Sequence, residues 1–225
     1  MPGILYIVAT PIGNLKDITL RALETLKSVD LIAAEDTRRT KKLLSHYDIH
    51  TPLTSYFEHN QIKKSDYIAD QLKSGKSVAL VSDAGTPGIS DPGFVIINKA
   101  IKEGIKVEAM PGACALITGL VLSGLPADKF IFEGFLSPKT GARQKRLKAL
   151  AGEERTIILY ESPHRIQKTL NDIAETMPAA GLVCVREATK MFEEVVRGKP
   201  LEVSQHFRDN PPRGEFVVII SQKEL

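Results

Sequence analysis

Short apolar runs punctuate the first half of this chain. Each is followed by a small polar cluster and then by apolar residues at helical spacing. Ile4-Leu-Tyr-Ile-Val8, Leu31-Ile-Ala-Ala34, Val78-Ala-Leu-Val81 and Ile105-Lys-Val-Glu-Ala109 have the length and apolar continuity of strands buried on both faces. Thr51 to Tyr56 reads as a weaker strand. Between these runs the period changes to that of a helix. Leu20, Leu23 and Leu26 recur on one face behind a cap at Asp17 or Thr19, and Arg39 to Tyr47 forms a basic helix. Asn60 to Lys73 turns Ile62, Ile68, Ala69 and Leu72 inward. A further helix from Asp91 to Glu103 has Asp91 as N-cap, Pro92 at its first position and Gly104 after its end. Strand–helix alternation with short turns predicts a parallel sheet covered by helices.

Met110-Pro-Gly-Ala-Cys-Ala115 turns into an apolar helix reaching Leu122, and Ser123-Gly-Leu-Pro-Ala-Asp128 then marks a boundary. We therefore expect an N-terminal α/β domain over 1–122 and a C-terminal one over 128–225. The second domain carries strands at Phe130–Phe135, Thr156–Tyr160, Leu182–Val185, Glu193–Arg197 and Gly214–Ile220, with helices at Thr140–Ala151 and from Arg165 to Thr176. No internal repeat or low-complexity tract interrupts the pattern.

The strands of the first half end in small and polar residues: Ala9-Thr-Pro-Ile-Gly-Asn14, Glu35-Asp-Thr-Arg38 and, most pronounced, Ser82-Asp-Ala-Gly-Thr-Pro-Gly88. The carboxyl edge of an open parallel sheet is where such folds bind ligands, and Gly85 and Gly88 allow main chain to approach one closely. Neither the dinucleotide pattern G-x-G-x-x-G nor the P-loop pattern occurs. The loop has no basic residue and presents Asp83, which suits a neutral or cationic small molecule better than a polyphosphate. Composition adds little to this. With 225 residues, 43% hydrophobic and 25% charged, the chain is an ordinary globular protein, and a net charge of +3 does not by itself announce nucleic acid. No apolar run has the length of a membrane span and no signal-peptide pattern opens the chain, so the expected location is cytoplasmic. Cys114 and Cys184 lie in apolar segments and read as packed thiols, with no metal site expected.

The motifs together carry a resemblance. Thr10-Pro-Ile-Gly-Asn-Leu15, Ala34-Glu-Asp-Thr-Arg38, Ser82-Asp-Ala-Gly-Thr-Pro87 with Ser90-Asp-Pro-Gly93, Tyr160-Glu-Ser-Pro-His-Arg165, Arg186-Glu-Ala-Thr-Lys190 and Gly214-Glu-Phe216 closely resemble the ribosomal RNA small subunit methyltransferase I family of the tetrapyrrole methylase superfamily. The resemblance runs from first strand to last. It implies a tetrapyrrole-methylase-like fold of two α/β domains, S-adenosylmethionine (SAM) held in the cleft between them, and a homodimer. It also implies methylation of the ribose 2′-oxygen of a cytidine in the decoding region of 16S rRNA, within the small ribosomal subunit and away from membranes. By motif, SAM would be lined by Ser82, Asp83, Ala84, Gly85, Thr86, Cys114, Ala115 and Glu161, with Pro11 and the main chain around Phe216 as weaker matches. Three departures stand out: Cys114 replaces a more usual serine, Ala188 replaces Leu or Ile, and the sequence ends at Leu225 where many members continue.

A ribose hydroxyl is a weak nucleophile, so a base near it is worth ~10²–10⁴-fold. Glu187, Lys190 and Asp36 are the catalytic candidates, with His164 behind them. The Arg186–Lys190 loop ranks first, and ion pairs that merely pin these loops are the competing reading. Lys190 could act as a base if its pKa were lowered, or pair with a phosphate. For RNA contact the leading candidates are Lys139, Arg143, Lys145, Arg146 and Lys148 on one helix, joined by Arg38, Arg39, Lys41 and Lys42, with Arg165 nearby in sequence to the Tyr160 motif. Reversing Arg143 and Arg146 to glutamate is expected to weaken RNA binding and spare SAM. The alternatives are another methylase of the superfamily acting on a corrin, porphyrin or protein, and a ribosome-binding module without activity.

Overall fold

A computed structural model describes residues 2–211 and 213–223. The chain divides into two compact units, Met1–Cys114 and Ala115–Leu225. The first carries strands β1 (Ile4–Val8), β2 (Leu31–Ala34), β3 (Leu53–Ser55), β4 (Val78–Val81) and β5 (Lys106–Met110), with helices α1 (Leu20–Ser28), α2 (Thr37–His46), α3 (Gln61–Lys73) and α4 (Phe94–Lys102). All neighbouring strands are parallel, in the order β3-β2-β4-β1-β5.

That order fixes where ligands can enter. The chain leaves β1 in one direction across the sheet to β2, and leaves β4 in the other direction to β5. Because parallel crossovers are right-handed, opposite directions put the helices on opposite faces. The two cores agree: Leu26 and Leu44 of α1 and α2 pack with Val8, Ile32 and Val81, whereas Leu72 and Ile96 of α3 and α4 pack with Leu5, Leu31 and Leu80. The adjacent strands β1 and β4 therefore form the switch point of the sheet, where the following loops part and leave a crevice.

The second unit comprises α5 (Ala115–Ser123), β6 (Phe130–Phe135), α6 (Thr140–Leu150), β7 (Thr156–Glu161), α7 (Ile166–Thr176), β8 (Gly181–Arg186), β9 (Glu194–Gly198), α8 (Pro200–Asp209) and β10 (Phe216–Ser221). Its sheet runs β6-β7-β10-β8-β9, with β6 and β7 parallel and the other pairs antiparallel. One face is covered by α6, α7 and α8 through Leu147, Leu170, Ile173, Val203 and Phe207. The other is packed by α5, which lies so close to β10 that a Cβ on Gly119 would stand 2.8 Å from Val217. This packing places α5 in the second unit. The division thus falls ahead of the Ser123–Asp128 segment that turn residues favour.

Several local expectations change. Helix α4 begins after Gly93 with no side-chain cap, so the pair Asp91-Pro92 precedes the helix instead of opening it. Leu20 and Ile62 keep the helical period of their neighbours yet are exposed. The sequence reading assigned no element between β9 and β10, but α8 fills that stretch. Pro200 stands at its first turn, Glu202 accepts a hydrogen bond from the Lys199 amide at 2.8 Å, and Val203 and Phe207 are buried four residues apart.

Candidate functional site

In the first unit, the loops that leave β5, β1, β4 and β2 are laced together at the carboxyl edge of the sheet. Thr10, just past β1, exchanges two backbone hydrogen bonds with Gly85, just past β4, at 2.9 and 3.0 Å. The Thr10 hydroxyl also donates to the Ser82 carbonyl at 3.1 Å. Ser82 turns its buried hydroxyl back onto the carbonyls of Ala84 and Gly85, so its side chain holds the loop's shape. Thr86 Oγ1 donates to the Ala113 carbonyl at 3.2 Å, which ties the same loop to the turn after β5. Gly85 sits at φ +81°, beside Ile12, and a Cβ on Gly112 would stand 2.9 Å from that of Ala9. Both positions require glycine. Pro11, Thr86 and Cys114 are half-buried here and Ala84 is exposed.

The loops after β2 and β4 clasp each other reciprocally. Asp83 accepts the Asp36 amide at 2.9 Å, and Glu35 accepts the Asp83 amide at 3.2 Å. Arg39 of α2 reaches Asp83 at 3.3 Å. Burial pushes the Glu35 carboxyl above its ordinary range; the Asp83 amide opposes this, and the charges of Asp91 and Asp83 add to it. Glu35 escaped selection as a site residue because its partner lies 48 positions away. Only the adjacency of β2 and β4 brings the two together, and strand order is not readable from the local pattern. The outcome is a rigid, small-residue edge with clustered carboxylates.

Asp36 is committed elsewhere. It caps α2 through the Arg38 amide at 2.9 Å and takes both ends of the Arg38 guanidinium, at 3.1 and 2.8 Å. The Arg38 hydrogen bonds hold its carboxyl far below the ordinary range, so it is a poor proton acceptor at neutral pH.

In the second unit, the loop Arg186–Lys190 folds against Gly214 and Glu215. Glu187 and Thr189 both take positive φ, 51° and 66°, a costly conformation for residues with a Cβ. Glu187 accepts the Lys190 ammonium at 2.8 Å and the Glu215 amide at 3.0 Å, and Lys190 also meets Glu215 at 2.8 Å. Desolvation would lower the Lys190 pKa, but the hydrogen bonds from Glu187 and Glu215 together outweigh it and raise it. For Glu187 desolvation likewise loses to its partners, and the pKa falls. Both groups are charged at neutral pH. Lys190 is thus an ammonium donor and not the neutral amine a base requires.

Five other predicted residues take these places. Glu161 is 3% exposed, and its carboxylate is occupied by the Ser162 amide at 2.8 Å, the Thr169 hydroxyl at 2.7 Å and the Arg165 guanidinium at 3.0 Å. Arg165 also lies over the Phe135 ring, 5.6 Å from its centroid. The Phe216 side chain is core, packed edge-on against Phe207, and only its main chain lies beside the ends of β7 and β8. Ala115 opens α5, whose Leu116 amide donates to the Tyr160 hydroxyl at 3.1 Å. His164 is exposed in the turn before α7.

The basic helix α6 needs correction. Arg143 is 2% exposed and points into the unit, donating to Asp172 of α7 at 2.6 Å and to the carbonyls of Ser137 and Pro138. It offers no charge to RNA. Arg146 is bound at both ends by Glu133, at 2.8 and 2.5 Å. Lys139, Lys145 and Lys148 remain exposed. Among the described residues no helix is long and apolar enough to cross a membrane.

Known proteins resemble this chain over nearly its whole length. Residues 4–203 match the family described as Tetrapyrrole (Corrin/Porphyrin) Methylases. The chain is 52% identical over 220 residues to a Synechocystis protein named ribosomal RNA small subunit methyltransferase I, covering 97% of this chain and 79% of that one. A Thermotoga maritima protein of the same name is 50% identical over 222 residues, covering 99% of this chain and all of the other. Among solved structures, a diphthine synthase superposes with a TM-score of 0.75 at 16% identity, over 97% of this chain and 90% of that one. A Thermus thermophilus uroporphyrin-III C-methyltransferase complexed with S-adenosylhomocysteine gives 0.68 at 19% identity, over 98% of both chains. At such identities these two show the fold alone. The motifs, the sheet order and the close relatives converge: the chain belongs to the ribosomal RNA small subunit methyltransferase I family, within the tetrapyrrole methylases.

Proposed function

We propose that this protein transfers a methyl group from SAM to the ribose 2′-oxygen of a cytidine in the decoding region of 16S rRNA. The broader activity, methylation of ribosomal RNA with SAM as donor, is that of its family. The observation that carries the reading is the laced edge of the first sheet. Its glycines let the loops pack tightly on one another, and the carboxylates of Glu35, Asp83 and Asp91, with Asp83 paired to Arg39, are a setting suited to a cationic sulfonium. The residues present therefore fit the donor. Gly85, Thr86, Gly112 and the main chain of Ser82 to Ala84 would hold it, with Pro11 and Cys114 alongside, and SAM supplies an activated methyl group. No basic side chain from the loop itself competes for the site.

In-line displacement is won mainly by placing the nucleophile, so rigidity in the holding loops is itself catalytic. The reciprocal clasp of Glu35 and Asp83 and the paired bonds of Thr10 with Gly85 supply that rigidity. Of the catalytic candidates, we assign Lys190 the role of a cationic donor that stabilises charge developing on the ribose oxygen or neutralises a neighbouring phosphate. Glu187 and Glu215 hold it in place. The protein would work in the cytoplasm as a homodimer.

The test is transfer of labelled methyl from SAM to undermethylated 30S particles and, in parallel, to naked 16S rRNA, with the product nucleoside identified by mass spectrometry. The expected product is 2′-O-methylcytidine. A base-methylated nucleoside would overturn the assignment of the ribose oxygen, and label on a free tetrapyrrole but not on rRNA would overturn the substrate.

A further inference from the structure

Helix α2 carries four cations, Arg38, Arg39, Lys41 and Lys42, and no carboxylate within its ten residues. At 100° per residue these four fall within one arc of ~160°, opposite the buried Thr40 and Leu44. Arg38 and Arg39 are 88% and 68% exposed even though each meets an aspartate. Lys41 and Lys42 are exposed and have no ion pair among the described residues. A helical face of one sign, in a chain whose 30 basic and 27 acidic residues nearly balance, is a local concentration of charge and not a reflection of composition.

Its position gives the charge a use. The start of α2 is bolted to the central loop, with the Asp36 amide on Asp83 at 2.9 Å and Arg39 on the same carboxylate at 3.3 Å. A phosphate backbone lying along this face would run beside the edge at which the donor is proposed to bind. The rival surface on α6 has lost Arg143 to the core and has Arg146 neutralised by Glu133. We propose that the exposed face of α2 is the surface that docks the RNA sugar–phosphate backbone, with Lys41 and Lys42 as its free cations. This inference rests on the reading of the protein as an rRNA methyltransferase.

The experiment compares K41E/K42E with K145E/K148E, the same charge change on α6, using the full chain and a 16S rRNA decoding-region fragment titrated across a salt series. SAM affinity is measured calorimetrically for each variant. For K41E/K42E we expect an affinity loss of ~10–100-fold and a log–log salt dependence shallower by roughly 1.5, near 0.7–0.9 per lost phosphate contact. SAM affinity should equal that of the unsubstituted protein. K145E/K148E should change RNA affinity by less than about threefold. Unchanged RNA binding by K41E/K42E, or an equal loss in K145E/K148E, overturns the surface. Loss of SAM affinity together with RNA affinity also overturns it, because α2 would then act through the donor loop. Absence of any salt-dependent rRNA binding by the unsubstituted protein overturns the methyltransferase reading itself.

Discussion

Arg143 offers the sharpest test of how the second unit is built. Replacing it with alanine removes the donor that Asp172 meets at 2.6 Å and leaves that aspartate, itself buried, with Gln144 at 3.0 Å as its one remaining side-chain donor among the described residues. The carbonyls of Ser137 and Pro138 lose their guanidinium donor as well. A hydrogen bond between charged groups contributes ~1.5–3 kcal/mol, and stranding a buried charge raises the total to ~3–5 kcal/mol. Against a domain stability of ~5–15 kcal/mol this is a large share, and for a unit of about this size it corresponds to a fall in Tm of more than ~10 °C. R143K should recover little, because an ammonium cannot reproduce the fork that reaches Asp172 and both carbonyls. The double substitution R143M/D172L removes both charges and should restore most of the loss. Urea denaturation of R143M, D172L and the double, read as a cycle, gives the coupling. A loss below ~1 kcal/mol for R143A, the value of a screened surface pair, would refute the reasoning, as would a double variant less stable than either single one. Either result would also restore Arg143 as a candidate for RNA contact.

Gly214→Ala should abolish most methyl transfer while leaving the fold intact. At φ +80° the new Cβ would collide with the Glu187 carboxylate and displace Lys190; steady-state kinetics beside a circular dichroism melt would check it, and full activity would contradict it. Glu35→Gln should change the pH profile of stability. A carboxyl raised above its ordinary value of 4.5 favours the fold below that value, and the advantage is lost as pH rises through the raised pKa. Glutamine keeps an acceptor for the Asp83 amide without the charge, so E35Q should match the unsubstituted protein at pH 4 and melt at a higher temperature at pH 8. Equal melting temperatures at both pH values would rule out a strained carboxylate.

The sequence revealed what depends on local periodicity and hid what depends on neighbours far along the chain. Leu31–Ala34 and Val78–Val81 matched their strands residue for residue because runs buried on both faces leave little choice of register. Asp91-Pro92 followed the rules for opening a helix and failed. Gly93 packs against Gly88, where a Cβ would stand 2.9 Å from its backbone, and that close approach sets the start of α4 instead. Arg143 read as surface charge because α6 is polar nearly all round, and Asp172 lies 29 residues further on. Glu35 was hidden for the same reason: its environment is made by Asp83 and Asp91. The start of α8 was legible in Pro200 and Glu202, but a lysine in the capping position concealed it.

The order of strands in the first sheet also has a consequence for synthesis on the ribosome. Leu5 pairs with Val78 on one side and Val107 on the other, so the partners of the first strand emerge roughly seventy and a hundred residues later. At translation speeds of ~5–20 residues per second, Ile4-Leu-Tyr-Ile-Val8 waits some 5–20 s before its second edge is covered. For the first ~4–15 s of that interval, until β4 emerges, this segment has no strand to pair with. The first sheet of the nascent chain is therefore completed only when β5 arrives, and until then its first strand keeps an open edge.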